Sequence, residues 1–252
     1  MEEVIDKIFI RMFDIKNTLF VYINLDHRED RKNYMEYMLS SMNLNYVRFS
    51  AIKPTKDALL NGYLHSFYER AVFWLQYYLK LDDHRKNILS IGTFGCYLSH
   101  YMILKKYSRK YSSIVILEDD VKFSIHSLKK FIRMTTKLES RDVDILRPTY
   151  GYRDNDLFLN KITSSIYEFS SPYKLSKYVE NDIKHEYFGA THFVYYHNIS
   201  RVIDFLDSEN VFNIDAIYST NHLKSFIVAN CNIYQNRDKF DSDIGSFSSL
   251  KS

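Results

Sequence analysis

An apolar run that ends in three consecutive acids constrains this chain more than any other feature of its sequence. The stretch 113–117 is apolar apart from its first residue, and Glu118, Asp119 and Asp120 follow it at once. A buried strand that ends in acids places them at a sheet edge, where open α/β folds form their binding clefts. Oxygen ligands of this kind suit Mg²⁺ or Mn²⁺, and such a cation can hold a diphosphate. The alternative interpretation is a strand followed by a solvated acidic turn.

The segments around this run alternate between strand-like and helix-like patterns. Residues 18–24 predict a buried strand, Asp26 is a candidate N-cap for the helix that follows, and residues 45–50 predict a second strand. This βαβ opening predicts an α/β fold with a central, mostly parallel sheet flanked by helices. The other predicted helices cover 4–16, 124–138 and 198–208, with a short helix from Asn213, and residues 91–100 pass from a loop into a helix that ends near Lys110. The aromatic-rich segment 55–90 predicts a packed helix pair, with an aromatic platform for a sugar or acceptor as the alternative. Strands are predicted over 112–117, 142–146 and 188–196, and one or two short strands within a long excursion over 147–187.

Composition bounds the class of protein. The 34 basic and 31 acidic residues leave a net charge of +3, which gives no sign of nucleic-acid binding. Two cysteines are too few for a disulfide framework and fit a reducing compartment. No stretch approaches the ~20 apolar residues of a membrane span, and the acidic N-terminus does not resemble a signal peptide, so a cytoplasmic location is expected. Frequent Ile, Asn, Lys and Tyr indicate an AT-rich genome, such as that of a bacterium or a giant virus.

Only 6 glycines are present, and neither a G-x-G-x-x-G motif nor a P-loop occurs. A bound nucleotide would therefore need a metal and basic side chains for its phosphates. Arg28 and Arg31 lie three apart on the opening turn of the first predicted helix, next to the end of a strand, and could form an anion site there. The alternative is a solvated, salt-bridged helix start, because Glu29 and Asp30 separate the two arginines.

Two further segments carry candidate groups with competing interpretations. The glycines of Gly92-x-x-Gly95 allow a close backbone approach, and Ser99 and His100 can donate to a hydroxyl or a phosphate. A histidine near a helix start is more often a satisfied structural residue than a base, and we prefer that interpretation here. Asp215 lies at a helix start, where it could serve as an N-cap, as a general base on a cleft wall, or as both.

Together these segments resemble glycosyltransferase family 25, which includes lipooligosaccharide galactosyltransferases and collagen hydroxylysine galactosyltransferases. The matching segments, in family order between residues 18 and 220, are 21–31, 95–100, 116–121 and 214–215. The resemblance implies a GT-A fold, a UDP-hexose donor (galactose or glucose), Mn²⁺ or Mg²⁺, and a glycan or collagen-type galactosyl-hydroxylysine acceptor. It also implies one domain over 1–252, with a nucleotide-sugar half over 18–146 and an acceptor half over 147–235. The tail over 236–252 has charge and serine but little apolar content, which predicts mobility.

Roles follow from the resemblance position by position. Donor contacts are expected from Asn24, Leu25, Arg28, Arg31, Gly95, Ser99, His100, Glu118 and Asp119. The acidic run stands in place of the family's Asp-x-Asp motif, so that Asp120 is the principal metal ligand and Glu118 is a second ligand or a contact to the ribose or to a metal-bound water. Thr191-His192 departs from the small residue that many members carry after the late glycine, so His192 or His222 is expected as a further metal or diphosphate contact. Asp215 matches the position of the catalytic base of inverting members, and in a retaining enzyme it would instead orient the acceptor.

Two other functions are compatible with the same residues. One is a metal-dependent phosphoesterase or nucleotidyltransferase, which would need more acids or histidines than the motifs supply. The other is a non-catalytic sugar-binding module, against which the complete set of acids and arginines argues. The donor sugar, the acceptor, the linkage and the oligomeric state stay open, with a homo-oligomer among the options.

Overall fold

The computed structural model of the chain describes residues 14–54, 91–138, 140–149, 159–169, 191–208, 214–217, 222–236 and 239–240. The predicted N-terminal helix and the aromatic segment 55–90 lie outside these described residues. So do most of the excursion over 147–187 and the tail after Phe240.

A mixed sheet forms the centre of the described part of the chain. Its strands are joined in the order β2-β1-β3-β8-β5-β9-β7-β6, while β4 and β10 form a separate antiparallel pair. The strands are β1 (Thr18–Asn24), β2 (Tyr46–Ser50), β3 (Ser113–Glu118), β4 (Val121–Lys122), β5 (Ile145–Thr149), β6 (Leu159–Thr163), β7 (Ile166–Phe169), β8 (Phe193–Tyr196), β9 (Ser225–Ala229) and β10 (Tyr234–Gln235).

Strand directions change across the sheet. Strands β2, β1 and β3 are parallel, as are β5 and β9, whereas β8 runs antiparallel between β3 and β5. Strands β7 and β6 extend the far edge as an antiparallel hairpin. The predicted parallel arrangement therefore holds around the acidic run, and the later strands make the whole sheet mixed, as is common in large α/β sheets.

Helices cover both faces of this sheet, which confirms the predicted α/β glycosyltransferase-type fold. They are α1 (Glu29–Ser41), α2 (Ile91–Tyr107), α3 (Ile125–Thr135) with a 3₁₀ turn at Thr136–Leu138, α4 (Ile199–Ser208) and α5 (Ile214–Ile217). Because side chains alternate along β3, Ile114 and Ile116 pack in the core under α2, α4 and α5. Val115 and Leu117 pack in the opposite core under α1 and α3.

Local signals explain where most elements begin, with two exceptions. Helix α3 is capped by Ser124, whose Oγ accepts a hydrogen bond from the backbone N–H of Ser127 at 3.1 Å. Helix α1 has Arg28 at its N-cap position and no side-chain cap, so the capping role predicted for Asp26 is wrong. The strand predicted over 142–146 is observed as Ile145–Thr149, displaced toward the C-terminus.

Two further differences concern the C-terminal part. Strand β9 is absent from the sequence-based prediction, yet it is fully buried between β5 and β7. Asn236 and Phe240, which were expected to belong to a mobile tail, are each only 6% exposed.

No helix among the described residues is long and apolar enough to cross a membrane.

Candidate functional site

A cleft opens at the carboxyl ends of the three parallel strands β1, β2 and β3. Its cavity volume is about 240 Å³. Its walls are formed by the loops after β1 and β2, the first turn of α1, the first turns of α2, the acidic run at the end of β3, and β10. The lining residues are Ile23, Leu25, His27, Arg31, Ala51, Ile52, Lys53, Gly92, Gly95, Cys96, Ser99, Glu118, Asp119, Asp120 and Gln235. Most of the candidates from the sequence are thus brought together at the sheet edge where they were predicted.

Asp119 is the member of the acidic run that holds the site together. Its Oδ1 accepts a hydrogen bond from Arg31 Nη1 at 2.7 Å, and its Oδ2 accepts one from Asn24 Nδ2 at 2.8 Å. All three side chains are buried, with 6% or less of each residue exposed. Asp119 therefore joins β3 to β1 and to the first turn of α1, with both of its oxygens engaged.

Glu118 and Asp120 face the cleft on either side of that anchored residue. Gln235 Nε2 lies 3.3 Å from Glu118 Oε2 and 3.2 Å from Asp120 Oδ2, so one amide donates to both carboxylates. Thr191 Oγ1 donates to the other oxygen of Glu118. The Oδ1 atom of Asp120 is buried and accepts no hydrogen bond from the described residues.

The electrostatics of Asp120 follow from this environment. Burial raises the pKa of Asp120, and the neighbouring Asp119 carboxylate raises it further, while Arg31 opposes both effects. The Arg31 guanidinium is 3.9 Å from Asp120 Oδ2. Removing a carboxylate from water disfavours its charged form, so Asp120 in this structure lacks part of the positive charge that would stabilise it.

This donor set fits a divalent cation of the Mg²⁺ or Mn²⁺ type. Such a cation is usually bound by one or two carboxylates and completed by substrate phosphates and water. Glu118 and Asp120 supply the two carboxylates, and the buried Asp120 Oδ1 is an acceptor that a cation would satisfy. Within the described ranges no group of three or more His, Cys, Asp or Glu side chains is placed to hold a metal ion.

Asn24 connects the loop after β1 with strand β2. Besides its bond to Asp119, its Nδ2 donates to the backbone O of Arg28 at 3.1 Å, and its Oδ1 accepts from Arg48 Nε at 2.9 Å. Arg48 also reaches Asp26 Oδ1 at 2.5 Å, and this hydrogen bond holds the pKa of Asp26 below its usual range. Asn24 therefore shapes the cleft floor through a hydrogen-bond network, while Leu25 contributes its side chain directly to the wall.

Gly95 and Ser99 fix helix α2 against the loop that follows β2. A Cβ atom at Gly95 would lie 2.3 Å from the carbonyl O of Ile52 and 2.9 Å from Pro54 Cδ, so only glycine permits this approach. Ser99 Oγ accepts from the backbone N–H of Ile52 at 2.9 Å and donates to the O of Gly95 at 2.8 Å. Both residues line the cleft, and both position its second loop.

His100 does not lie in the cleft wall. It is completely buried, and its Nδ1 is 2.8 Å from the hydroxyl of Tyr196. Burial lowers the pKa of His100 from 6.5 to about 3, so the imidazole is neutral at physiological pH. The structure thus places His100 outside the cleft lining, and its buried Nε2 has no hydrogen-bond partner among the described residues, so the donor contact expected from the family resemblance stays a prediction.

The two arginines of the first helix turn point to different places. Arg31 is 4% exposed, lines the cleft, and is held by Asp119 and by the Phe240 ring, whose centroid is 5.4 Å from its Cζ. Arg28 is absent from the lining and forms two hydrogen bonds to Asp30 at 3.0 and 2.9 Å, which lowers the pKa of Asp30 to about 2. The salt-bridged interpretation thus describes Arg28, and a phosphate contact stays a prediction for both arginines.

The remaining candidates from the sequence are His192, His222 and Asp215. His192 is 7% exposed and pairs in register with the end of β3, since its backbone O accepts from the N–H of Glu118 at 3.1 Å. His222 is exposed and stacks on Phe205, with ring centroids 5.7 Å apart. Asp215 lies in α5, and the neighbouring Ile214 is buried in the core. The side chain of Asp215 is outside the described part of the structure. Their roles as metal ligands or base stay predictions.

Sequence reasoning missed Gln235, Lys53 and His27, all of which line the cleft. His27 and Lys53 each follow closely on a predicted strand, so the rule that cleft residues come after strands could have found them. Gln235 carried no such signal, because β10 is only two residues long and its partner β4 is equally short.

The cleft residues fall mostly within a region that is similar to known proteins. Residues 17–196 match the family described as "Glycosyltransferase family 25 (LPS biosynthesis protein)". Over 123 residues the chain is 30% identical to "Procollagen galactosyltransferase 1-A" of Xenopus laevis, a match that covers 48% of this chain and 19% of that protein.

Two further relatives give a similar picture. A "Glycosyltransferase 25 family member" of Drosophila melanogaster is 29% identical over 113 residues, covering 44% of this chain and 17% of the fly protein. "Procollagen galactosyltransferase 2" of Homo sapiens is 24% identical over 133 residues, covering 48% of this chain and 18% of the human protein. The chain thus spans less than a fifth of the length of each of these curated relatives.

Proposed function

The chain belongs to glycosyltransferase family 25, and from that membership we propose that it transfers a hexose from a UDP-sugar to an acceptor hydroxyl. The observation that carries the proposal is the acidic run at the carboxyl end of β3, with Glu118 and Asp120 facing an open cleft. The relatives named procollagen galactosyltransferase favour galactose as the sugar and a collagen-type hydroxylysine or galactosyl-hydroxylysine acceptor. Glucose and a glycan acceptor are the alternatives.

The walls of the cleft suit the two ends of a nucleoside diphosphate. Ile23, Leu25, Ala51 and Ile52 form an apolar side on which a uracil and its ribose can pack. Lys53, which is exposed at the cleft, can pair with phosphate oxygens as a point charge. We therefore assign the nucleoside to the loops after β1 and β2, and the diphosphate to the side of the acidic run.

A divalent cation would be held by Glu118 and Asp120, and when bound it would neutralise charge on the departing diphosphate as a Lewis acid. The chain's own groups prepare that position. Asp119, fixed by Arg31 and Asn24, sets the path of the acidic turn, and Thr191 orients Glu118 by a hydrogen bond. A preorganised site of this kind needs little reorganisation when charge develops.

Acceptor activation is assigned to Asp215. Helix α5 packs against α2 through the buried Ile214 and Ile217, so the residue belongs to the same face of the sheet as the first turns of α2. A carboxylate at the acceptor hydroxyl would accept its proton as the oxygen attacks the anomeric carbon. In a retaining enzyme the same carboxylate would orient the acceptor instead.

Release of UDP from a panel of UDP-sugars tests the proposal. The protein is incubated with each UDP-sugar, with hydroxylysine peptides and lactose-type glycans as acceptors, and with Mn²⁺ or EDTA. We expect UDP release from one UDP-hexose, dependent on both acceptor and Mn²⁺. Release of inorganic phosphate without a glycosylated product would indicate a phosphoesterase. UDP binding with no product from any donor and acceptor would indicate a binding module.

A further inference from the structure

A short segment near the end of the described chain holds Gln235 against the acidic run. We call this segment, residues 233–236, the strap. Its strand β10 pairs with β4, with Gln235 opposite Val121, and the backbone N–H of Asn236 donates to the O of Asp120 at 2.7 Å. Ile233 and Asn236 on either side are 1% and 6% exposed. The backbone of Gln235 is therefore fixed directly beside the acidic turn.

The side chain of Gln235 bridges the two carboxylates that face the cleft. Its Nε2 is within 3.3 Å of an oxygen of Glu118 and within 3.2 Å of an oxygen of Asp120. The distance to Asp120 lies at the upper end of the roughly 2.7–3.2 Å range of N–H···O bonds, and the distance to Glu118 lies just beyond it. The amide nitrogen thus stands between two negatively charged groups, in the position where a shared cation would bind.

Charge makes this position favourable for a cation. The acidic run carries three carboxylates, and within the cluster of Glu118, Asp119, Asp120 and Arg31 only the arginine is positive. Arg31 is directed at Asp119, and the buried Asp120 Oδ1 accepts nothing from the described residues. A neutral amide donates two partial positive charges at most and cannot balance two carboxylates.

The terminal amide of glutamine carries an NH₂ donor and a carbonyl-oxygen acceptor of nearly equal size. A half-turn about the last side-chain bond exchanges Nε2 with Oε1 while the backbone and the two methylenes stay in place. With a cation between the carboxylates the NH₂ group would be repelled and the carbonyl oxygen attracted. Amide carbonyls are ordinary ligands of hard divalent cations.

We propose that Gln235 is a direct ligand of the divalent cation, through Oε1, together with Glu118 and Asp120. The inference rests on the proposed function, because it assigns a third protein ligand to the site that would hold the donor diphosphate. It also gives the strap a role, since the two-residue pairing of β10 with β4 delivers this ligand from a part of the chain outside the residues 17–196 that match the family.

Cation binding measured directly tests the assignment without any turnover. Free Mn²⁺ is followed by its electron paramagnetic resonance signal during titration of the wild type, Gln235→Ala, Gln235→Glu and Asn160→Ala, with and without UDP. Asn160 is exposed on edge strand β6 and serves as the matched loss of an amide. Thermal unfolding of each variant confirms that it is folded.

The expected result separates a ligand from a hydrogen-bond donor. Gln235→Ala should weaken Mn²⁺ binding about 10-fold or more, as loss of groups around metal sites does. Gln235→Glu should tighten it, because affinity rises with ligand charge, while Asn160→Ala stays at the wild-type value. If Gln235 served only as a donor that orients the carboxylates, Gln235→Glu would bind as weakly as Gln235→Ala.

Three results would overturn the inference. They are unchanged or tighter Mn²⁺ binding in Gln235→Ala, equal weakening in Gln235→Ala and Gln235→Glu, and no Mn²⁺ binding by the folded wild type. Hexose transfer itself is measured separately by the UDP-sugar panel, and the third result would also contradict the expected dependence of transfer on Mn²⁺. Conversely, a panel without any transfer would remove the proposed function while a Gln235-dependent Mn²⁺ site would stand.

Discussion

At the scale of single residues, the three carboxylates of the acidic run have different tasks. All three line the cleft, but Asp119 is enclosed by Arg31 and Asn24 and joins two strands and a helix, whereas Glu118 and Asp120 share the amide of Gln235. The sequence identified the run as a binding site but not this division, because the division depends on contacts 88 and 95 residues apart along the chain. Only the folded structure shows which acid is anchored.

Replacing the anchored acid should therefore cost stability. In Asp119→Asn the carboxylate partner of Arg31 at 2.7 Å is lost, and a buried guanidinium loses its nearest negative charge. We expect the free energy of unfolding, measured by urea denaturation, to fall by about 3 kcal/mol, as when one partner of a buried ion pair is removed. Asp204→Asn, an exposed acid on α4, should unfold like the wild type. Equal stability of both variants would show that Asp119 is not an anchor.

His100 gives the protein a specific sensitivity to acid. Its pKa is about 3 when folded and near 6.5 when unfolded, so below pH 6.5 the unfolded chain binds a proton that the folded chain does not. Stability from this residue is complete above that value and falls as the pH drops toward about 3. Between about pH 7.5 and about pH 5.5 the loss should be about 1.4 kcal/mol.

The variant His100→Gln isolates this contribution. It removes the titrating group while leaving a polar partner for the Tyr196 hydroxyl. Urea denaturation at the two pH values should show a smaller loss of stability in the variant than in the wild type, by roughly that same 1.4 kcal/mol. An identical pH dependence in both proteins would mean that His100 is not buried in its neutral form.

At the scale of elements, the packing of α2 on the loop after β2 depends on one glycine. Gly95→Ala would put a Cβ atom 2.3 Å from the Ile52 carbonyl, so the loop that lines the cleft must move. Gly92→Ala replaces an exposed glycine in the first turn of the same helix and serves as the matched control for the gain in helix propensity. We expect Gly95→Ala to be less stable than Gly92→Ala by about 1–3 kcal/mol in thermal or urea unfolding. Similar stabilities would contradict the close approach.

The C-terminal side of the cleft depends on Phe240, which follows the strap and covers α1. Its ring packs edge-on against Tyr34 at 5.3 Å and lies under the Arg31 guanidinium. Phe240→Ala should lower the free energy of unfolding by about 3 kcal/mol, in the range for buried phenylalanines. Lys239→Ala, its exposed neighbour, loses only cation–π contacts worth about 1 kcal/mol or less. If the two variants lose the same stability in urea denaturation, Phe240 does not hold this region.

Elements with strong periodic or apolar patterns were predictable from the sequence, and short ones were not. The strands β1, β2 and β3 and the helix α4 lie within two residues of their predicted positions. Strand β9 was missed because its five residues resemble any short buried segment, and β10 because two residues carry no period. The uncapped start of α1 was mispredicted because Asp26 accepts hydrogen bonds from Arg48 and Ser50, which lie on the next strand.

At the scale of the whole molecule, the mixed sheet explains why one edge carries the site. The parallel strands β1, β2 and β3 end at the same edge, so that the loops after β1 and β2 and the acidic run at the end of β3 meet there. Later strands enlarge the sheet on the other side of β3 and return the chain to the cleft through β10. The family match over 17–196 covers the first part of this path, and Gln235 lies beyond it.

The rate of hexose transfer in Asp120→Asn, compared with the wild type and Asp204→Asn, tests the central claim most directly. All three are assayed with the preferred UDP-hexose, an acceptor and Mn²⁺, and the glycosylated product is quantified by mass spectrometry. We expect Asp120→Asn to lose transfer by about 100-fold or more, as losses of charge-stabilising groups do, while staying folded, and Asp204→Asn to keep the wild-type rate. Transfer by Asp120→Asn at the wild-type rate would contradict a reaction at this cleft.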